Sequence, residues 1–509
     1  MKKNSPYLNN EYKPLSLAEE STDWEPTKLI YGAVPQELNG YFLRNSSNPQ
    51  FLPANKYHWF DGDGFIQGIK FHNGNAYYKG KFIQTKKFKE ESLKNKALYG
   101  GLNGPINTNN LFKSFIRVLQ FVFFGKNPFP NTSNTDLVYH HNTLFSLWLM
   151  CDTAYKINIE TLETVKAYNF GSEKNQNKGV THGISAHPKE CPKDHKLFVM
   201  DFINSWKRFS KPHIYISAIS KDSSIIDTKK IAISGRHLLH DIAVTENYVI
   251  VIDMPAEMSP LGLKYRKKKP ARFGVLRTDF APQKAPVTKE NIDVLWFDDP
   301  SGCYIIHIIN AYEEGNTIIL YALRKPYLEI KRKKDNEITD VFDGYLHKWV
   351  LNIETGTIEN EIGESQKKHF PIGSEFPTIN SQFEGLKHRF SYLPHISRTS
   401  TFNFSGFSKF DHTTNTYQHY NYPDKIYNGE VRFVRNPNFK NEEDCGWIIT
   451  FVHDFSKPEG KCYIEIFDAQ KITKGPICKL LLPKKIPIGF HTTWVELDEI
   501  VKSTPYHNV

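Results

Sequence analysis

From Leu29 onward the chain is built of short apolar or alternating runs. Examples are YFLRN (41–45), FIQGIKF (65–71), LVYH (137–140), LFSLWLM (144–150), NYVIVID (247–253), CYIIHII (303–309), NTIILYAL (316–323) and WIITFVHDF (447–455). Runs this short, rich in β-branched and aromatic side chains, fit pleated strands. Turn signals separate them, among them FDGDG (60–64), HNGNA (72–76), ETGT (354–357) and KPEGK (457–461). Many strands joined by hairpins restrict the fold to an all-β sandwich, barrel or propeller. Length alone, at 509 residues, would suggest two to four domains. A propeller escapes that expectation because it adds blades around an axis without leaving long open edges. We therefore expect one β-propeller domain over 29–509, preceded by a polar arm, 1–28.

One segment breaks the β pattern. In NNLFKSFIRVLQFVFFG (109–125), Phe112, Phe115, Ile116, Leu119, Val122 and Phe123 recur at helical spacing, with Lys113, Arg117 and Gln120 elsewhere around the helix. Such a helix either faces the core or lies in a membrane interface; it is too short to span a bilayer. The formal charge is +10, concentrated in LKYRKKKPAR (263–272) and EIKRKKDNE (329–337). These runs read as solvated loops, or as a face that meets anionic lipid headgroups. No helix-turn-helix, zinc-finger or aromatic RNA-binding motif accompanies them, so nucleic acid is not an expected partner. Six cysteines without a CxxC pair, in a chain of this size, read as reduced thiols. With no apolar leader and no membrane span, a cytoplasmic protein with peripheral membrane contact is expected.

Of 20 histidines, four lie at apolar strand ends or the turns beside them: His187 in THGISAHPK, His240 in RHLLHDIAV, His307 in CYIIHIINAYEE and His491 in IPIGFHTTW. A buried imidazole needs a partner, and neutral imidazoles arriving from distant segments are how a chain assembles a nitrogen-rich transition-metal site. The gaps between them are 53, 67 and 184 residues. The first two are about one blade each and the last about three, so equivalent strand ends would converge on one axis. His182 lacks the AHP context. His140, His141 and His453 lie on or beside expected strands, but nothing in the sequence pairs them with a metal set. P-loop, GxGxxG, HExxH and GxSxG signatures are all missing.

The motifs around these histidines carry a resemblance. GAVPQELNGYFLRNSSNPQF (32–51), YHWFDGDGFIQGIKF (57–71), AHPK (186–189), LHDIAVTENY (239–248), HIINAYEE (307–314), EFPTIN (375–380), GEVRFV (429–434) and PIGFHTTW (487–494) follow, in order, the pattern of the carotenoid cleavage oxygenases. The resemblance spans about residues 24–496, with Ser46-Ser47 where Gly-Pro is usual. It implies a seven-bladed propeller with short helical insertions capping the active-site face. It also implies a non-haem Fe(II) bound by His187, His240, His307 and His491, with O2 as co-substrate. Uncharged ligands keep Fe(II) electrophilic and leave positions open. In the family, glutamates accept the second ring N–H of three ligands and fix their orientation. Glu375 and Glu430 match two of these. At the third position Met150 stands where Glu is expected, with Asp152 nearby. Either Asp152 replaces it or one ligand, expected to be His240, lacks its carboxylate; Met150→Glu would then tighten iron binding.

The implied activity is oxidative cleavage of a conjugated C=C bond in a carotenoid or apocarotenoid, giving two carbonyl products. Positions that activate a phenol in stilbene-cleaving members fall here near Leu102 and at Leu149, so a hydrocarbon polyene is the expected substrate. The alternatives are a retinoid-type isomerase or isomerohydrolase, a stilbene-cleaving oxygenase, and a polyene- or lipid-binding propeller with little turnover.

Overall fold

In the computed structural model, the described residues are 19–52, 57–101, 112, 115–117, 119–120, 129–150, 152–170, 183–202, 211–221, 224–259, 262–282, 293–326, 330–332, 338–340, 343–360, 372–397, 401–439 and 442–501. Most of the expected N-terminal arm, His182, Leu102 and most of the 329–337 basic run lie outside them.

The architecture is all-β, as expected. Antiparallel four-strand sheets follow one another along the chain: Asp136–His140 to Thr164–Tyr168, Lys189–Glu190 to Ile225–Ala232, Ile242–Val244 to Leu295–Asp299, and Tyr304–Glu314 to Thr357–Asn360. A nine-stranded sheet holds most of residues 390–481 together with Lys28–Gly32. The ring closes because the last strand, Gly489–Glu496, pairs with Gly40–Ser46 near the start. Innermost strands touch their neighbours around the axis: Gly489–Glu496 meets Asp136–His140, Lys189–Glu190 meets Ile242–Val244, and Ile242–Val244 meets Tyr304–Glu314. Among the described residues, the expected seven blades are reached only if the nine-stranded sheet is taken as two adjoining blades.

Three of the four turn signals close hairpins, with Gly74, Gly356 and Gly460 at positive φ. FDGDG does something else. Trp59–Asp61 forms a 3-10 turn, and Asp63 accepts from the Gln50 N–H at 3.0 Å and from Lys87 Nζ at 2.7 Å. Lys87 lies on Lys86–Lys94, an α-helix capped by Thr85 that the strand-dominated reading passed over. The departure at Ser46-Ser47 is absorbed locally: Ser46 Oγ donates to the Phe65 carbonyl at 2.5 Å, and Ser47 Oγ donates to that of Trp59.

One buried polar knot positions the end of the chain. Arg44, fully buried, donates through Nε to Gln67 Oε1 at 3.0 Å and through Nη2 to the Pro487 carbonyl at 3.1 Å. Gln67 Nε2 reaches the same carbonyl at 2.8 Å. Gly489 is required here, since a Cβ would lie 2.5 Å from Arg44 Nε. The knot therefore sets the segment that delivers His491.

Buried histidines outside the axis are expected to make the fold acid-labile. Burial holds His388 and His395 at about 4, against an ordinary value of 6.5. Below pH 6.5 the unfolded chain binds protons that the folded chain refuses, so stability is intact above 6.5 and is lost toward pH 4. Each group costs about 3 kcal/mol once the pH reaches 4. Melting temperature is expected to fall from near pH 6.5, well above the carboxylate range. A flat profile down to pH 5 in a calorimetric series would contradict this.

Candidate metal centre

The four histidines converge. One nitrogen from each of His187, His240, His307 and His491 lies within 4.8 Å of the others. Each arrives by a local device. His187 takes a left-handed φ of 68° before Pro188, a conformation uncommon for a side-chain-bearing residue outside functional sites. His240 ends the approach to strand Ile242–Val244. His307 sits in a strand whose register against Thr317–Lys325 slips on both sides of Ile308, and such bulges re-aim side chains. His491 follows Gly489 on the ring-closing strand.

Carboxylates fix three of the imidazoles. His307 Nδ1 lies 2.7 Å from Glu375 Oε2, and His491 Nδ1 lies 3.0 Å from Glu430 Oε1. His187 Nδ1 lies 3.4 Å from Asp136 Oδ2. A carboxylate accepts, so each Nδ1 carries the proton and each Nε2 keeps its lone pair facing the centre. His187 Nε2 is buried with no hydrogen-bond partner, and His240 Nε2 is 3.0 Å from His307 Nε2. Buried lone pairs pointed at one another fit a bound cation. Burial and the neighbouring imidazoles push His240 and His307 well below their ordinary range, favouring the neutral, ligating form.

The supporting groups are as buried as the ligands. Burial pushes Glu375 up to about 7, opposed by Lys325 Nζ at 3.1 Å. Burial would also raise Asp136, but its hydrogen bond to His187 outweighs that and holds it at about 2. Lys189, two residues after His187, lies 3.6 Å from Asp241 Oδ1, and Asp241 Oδ2 accepts from the Ile308 N–H at 2.9 Å. That chain links the segments of His187, His240 and His307. Phe376, at φ 55°, stacks on His491 at 4.2 Å and packs against His307 at 4.9 Å. Phe402, Phe404, Phe490 and Trp59 extend this apolar wall.

Asp136, Lys189, Asp241, Lys325 and Phe376 were not singled out from the sequence. Asp136 lies in NTDLVYH with no motif around it; its only signal is an acidic residue opening an apolar strand. Among the described residues, no hydrogen bond joins Asp152 to any of the four histidines. Its carboxylate accepts from the Thr153 N–H at 2.7 Å and lines a separate cavity with Tyr168 and Phe170. Among the described residues, no carboxylate is hydrogen-bonded to His240. Met150, 3% exposed, packs in an apolar cluster with Leu239 and Ile242, the residues flanking His240 and Asp241. Met150→Glu would put a carboxylate into that cluster, where an uncompensated polar group costs about 2 kcal/mol or more. The variant is expected to melt lower than the wild type. An unchanged melting temperature together with tighter iron binding would mean that the new carboxylate reaches His240.

The profile of the retinal pigment epithelial membrane protein family matches residues 16–496. A carotenoid 9,10(9′,10′)-cleavage dioxygenase of Pisum sativum is 31% identical over 94% of this chain and 88% of its own length. The chain belongs to the carotenoid cleavage oxygenase family. A second family member, the corresponding dioxygenase of Arabidopsis thaliana, is 30% identical over 98% of this chain and 91% of its own. Solved structures of other proteins share the fold. The lignostilbene dioxygenase of Pseudomonas brassicacearum superposes with a TM-score of 0.79, at 18% identity, over 97% of this chain and 99% of its own. A single-site mutant of the Synechocystis apocarotenoid oxygenase gives 0.77, at 22% identity, over 97% and 100%.

Proposed function

We propose that this chain is an Fe(II)-dependent dioxygenase that cleaves a conjugated C=C bond of a carotenoid or apocarotenoid, with one atom of O2 ending on each carbonyl carbon. The observation that carries the reading is the convergence of four imidazoles, three with Nδ1 tied to a buried carboxylate. Family membership and the names of the Pisum and Arabidopsis relatives supply the substrate class. His187, His240, His307 and His491 would hold the metal, and a ferrous ion so held supplies the redox centre that the reaction with O2 needs. Asp136, Glu375 and Glu430 keep the ring protons on Nδ1, so that Nε2 remains a ligand. Phe376 and its aromatic neighbours exclude water and offer a face against which a flat polyene stacks.

The test is incubation of the iron-loaded protein with a panel of carotenoids and apocarotenoids under 18O2. Label in both carbonyl fragments is expected, with fragment masses locating the cleaved bond; the 9,10 and 9′,10′ bonds named for the relatives are the first to examine. Isomerised substrate without labelled carbonyls would instead support the isomerase alternative.

A lipid-borne substrate also calls for a membrane contact. No described helix is long and apolar enough to cross a membrane. Phe112 and Phe115, helical in the structure, are 76% and 61% exposed, and Ile116 and Leu119 beside them are also exposed. A core-facing helix would bury these groups, so we assign them to a membrane interface. A Phe112→Ser/Phe115→Ser variant is expected to co-sediment several-fold less with phospholipid vesicles while keeping its iron. Unchanged co-sedimentation would exclude this contact.

A further inference from the structure

A second group of imidazoles lies where hairpin turns of two neighbouring sheets meet. The strand Asp136–His140 turns through His141 and Asn142, both at positive φ, into Thr143–Leu147. In the next sheet, Lys189–Glu190 turns back into Leu197–Asp201 past His195, also at positive φ. One nitrogen each from His140 and His141 and a carboxylate oxygen of Glu190 lie within 4.8 Å of one another.

Hydrogen bonding decides what these atoms can do. His140 Nε2 lies 3.2 Å from the Ser220 carbonyl oxygen, which can only accept, so Nε2 carries the proton. In the neutral ring His140 Nδ1 therefore keeps its lone pair. That atom is buried, has no hydrogen-bond partner, and faces Glu190 Oε2 at 3.5 Å. Two electron-rich atoms in that relation require a cation between them, either a proton or a metal ion. His141 Nε2 is a second buried atom without a partner. His195 Nδ1 donates to Glu190 Oε1 at 2.7 Å, an orientation of the carboxylate that commonly supports a metal ligand. The 3.5 Å separation is close to the roughly 3.4 Å edge of a tetrahedron with zinc-ligand bonds of about 2.05 Å.

We propose that His140, His141 and Glu190 form a second metal site for a zinc-class divalent cation, with water completing the tetrahedron. The site joins two sheets and stands apart from the carotenoid reading. It would also tie strand Asp136–His140 to the His187–Glu190 segment at both ends. Asp136 meets His187 at 3.4 Å at one end, and His140 meets Glu190 at 3.5 Å at the other.

The test is zinc stoichiometry on the full-length protein after chelator stripping. It would be titrated with zinc chloride at pH 7.5 and assayed by elemental analysis after desalting. Glu190→Gln and His141→Asn are each expected to bind one equivalent fewer than the wild type. Asn is chosen because it tolerates the left-handed backbone at position 141, and circular dichroism confirms that each variant is folded. Failure of the four-histidine centre to retain zinc lowers every count by one and leaves the difference intact. Wild-type stoichiometry in both variants would overturn the proposal and leave a proton on His140 Nδ1 as the bridging cation.

Discussion

Exchange of His307 for Ala is expected to leave the purified protein without iron and to abolish polyene cleavage. His307 has the most connections in the centre: its Nε2 lies 3.0 Å from that of His240, its Nδ1 2.7 Å from Glu375, and its ring 4.9 Å from that of His491. Losing a group that merely supports a ligand costs about 10–100-fold in metal affinity, so losing the ligand itself should cost more than about 100-fold. The metal-free fold should suffer far less. Glu375 keeps Lys325 at 3.1 Å, and one of four mutually opposed lone pairs disappears. Iron by elemental analysis and the melting temperature of the stripped protein separate the two effects. Near-stoichiometric iron in His307→Ala would show that these histidines are not the iron ligands.

The sequence carried more of this architecture than of its wiring. Strand pattern and turn residues made an all-β radial fold legible, because period-two alternation and left-handed turn glycines are local signals. Ring closure by Gly489–Glu496 on Gly40–Ser46 is not local: those strands are more than 400 residues apart, and nothing in either segment names the other as its partner. The four histidines were legible as strand-end residues in apolar contexts. Their carboxylates were less so. Glu375 and Glu430 were found through motifs, but Asp136 reaches His187 only because two neighbouring sheets bring Asp136–His140 beside the His187 turn. Expecting the third carboxylate at or beside Met150 pointed to Asp152 and away from Asp136. The site is uneven: His187, His307 and His491 each have a carboxylate, whereas His240 has none among the described residues. His140 and His141 show the same limit, since their partner Glu190 lies on a different sheet.

Exchange of Glu430 for Gln tests how far one proton position controls the centre. Glu430 Oε1 accepts from His491 Nδ1, while Oε2 accepts from the Thr492 N–H and from Thr492 Oγ1, the latter at 2.6 Å. Three donors thus converge on two carboxylate oxygens inside the protein. An amide has only one acceptor oxygen. Turned toward Thr492, it keeps two of the three bonds and presents its NH2 to His491 Nδ1. That contact is favourable only if Nδ1 gives up its proton, which moves the proton to Nε2, the nitrogen facing His187, His240 and His307. A protonated Nε2 cannot bind metal. Turned the other way, the amide keeps the His491 tautomer but sets its NH2 against the buried Thr492 N–H, at a cost of about 1–3 kcal/mol. The first arrangement should prevail. Glu430→Gln is therefore expected to fold with a melting temperature close to that of the wild type, yet to bind iron about 10–100-fold more weakly, with cleavage falling in parallel at limiting iron. Nitrogen-15 NMR of the histidine rings in the metal-free protein would report the tautomer directly. An Nδ1-protonated His491 in the variant, with undiminished iron affinity, would show that Glu430 holds the backbone of the ring-closing strand and does not set the ligand.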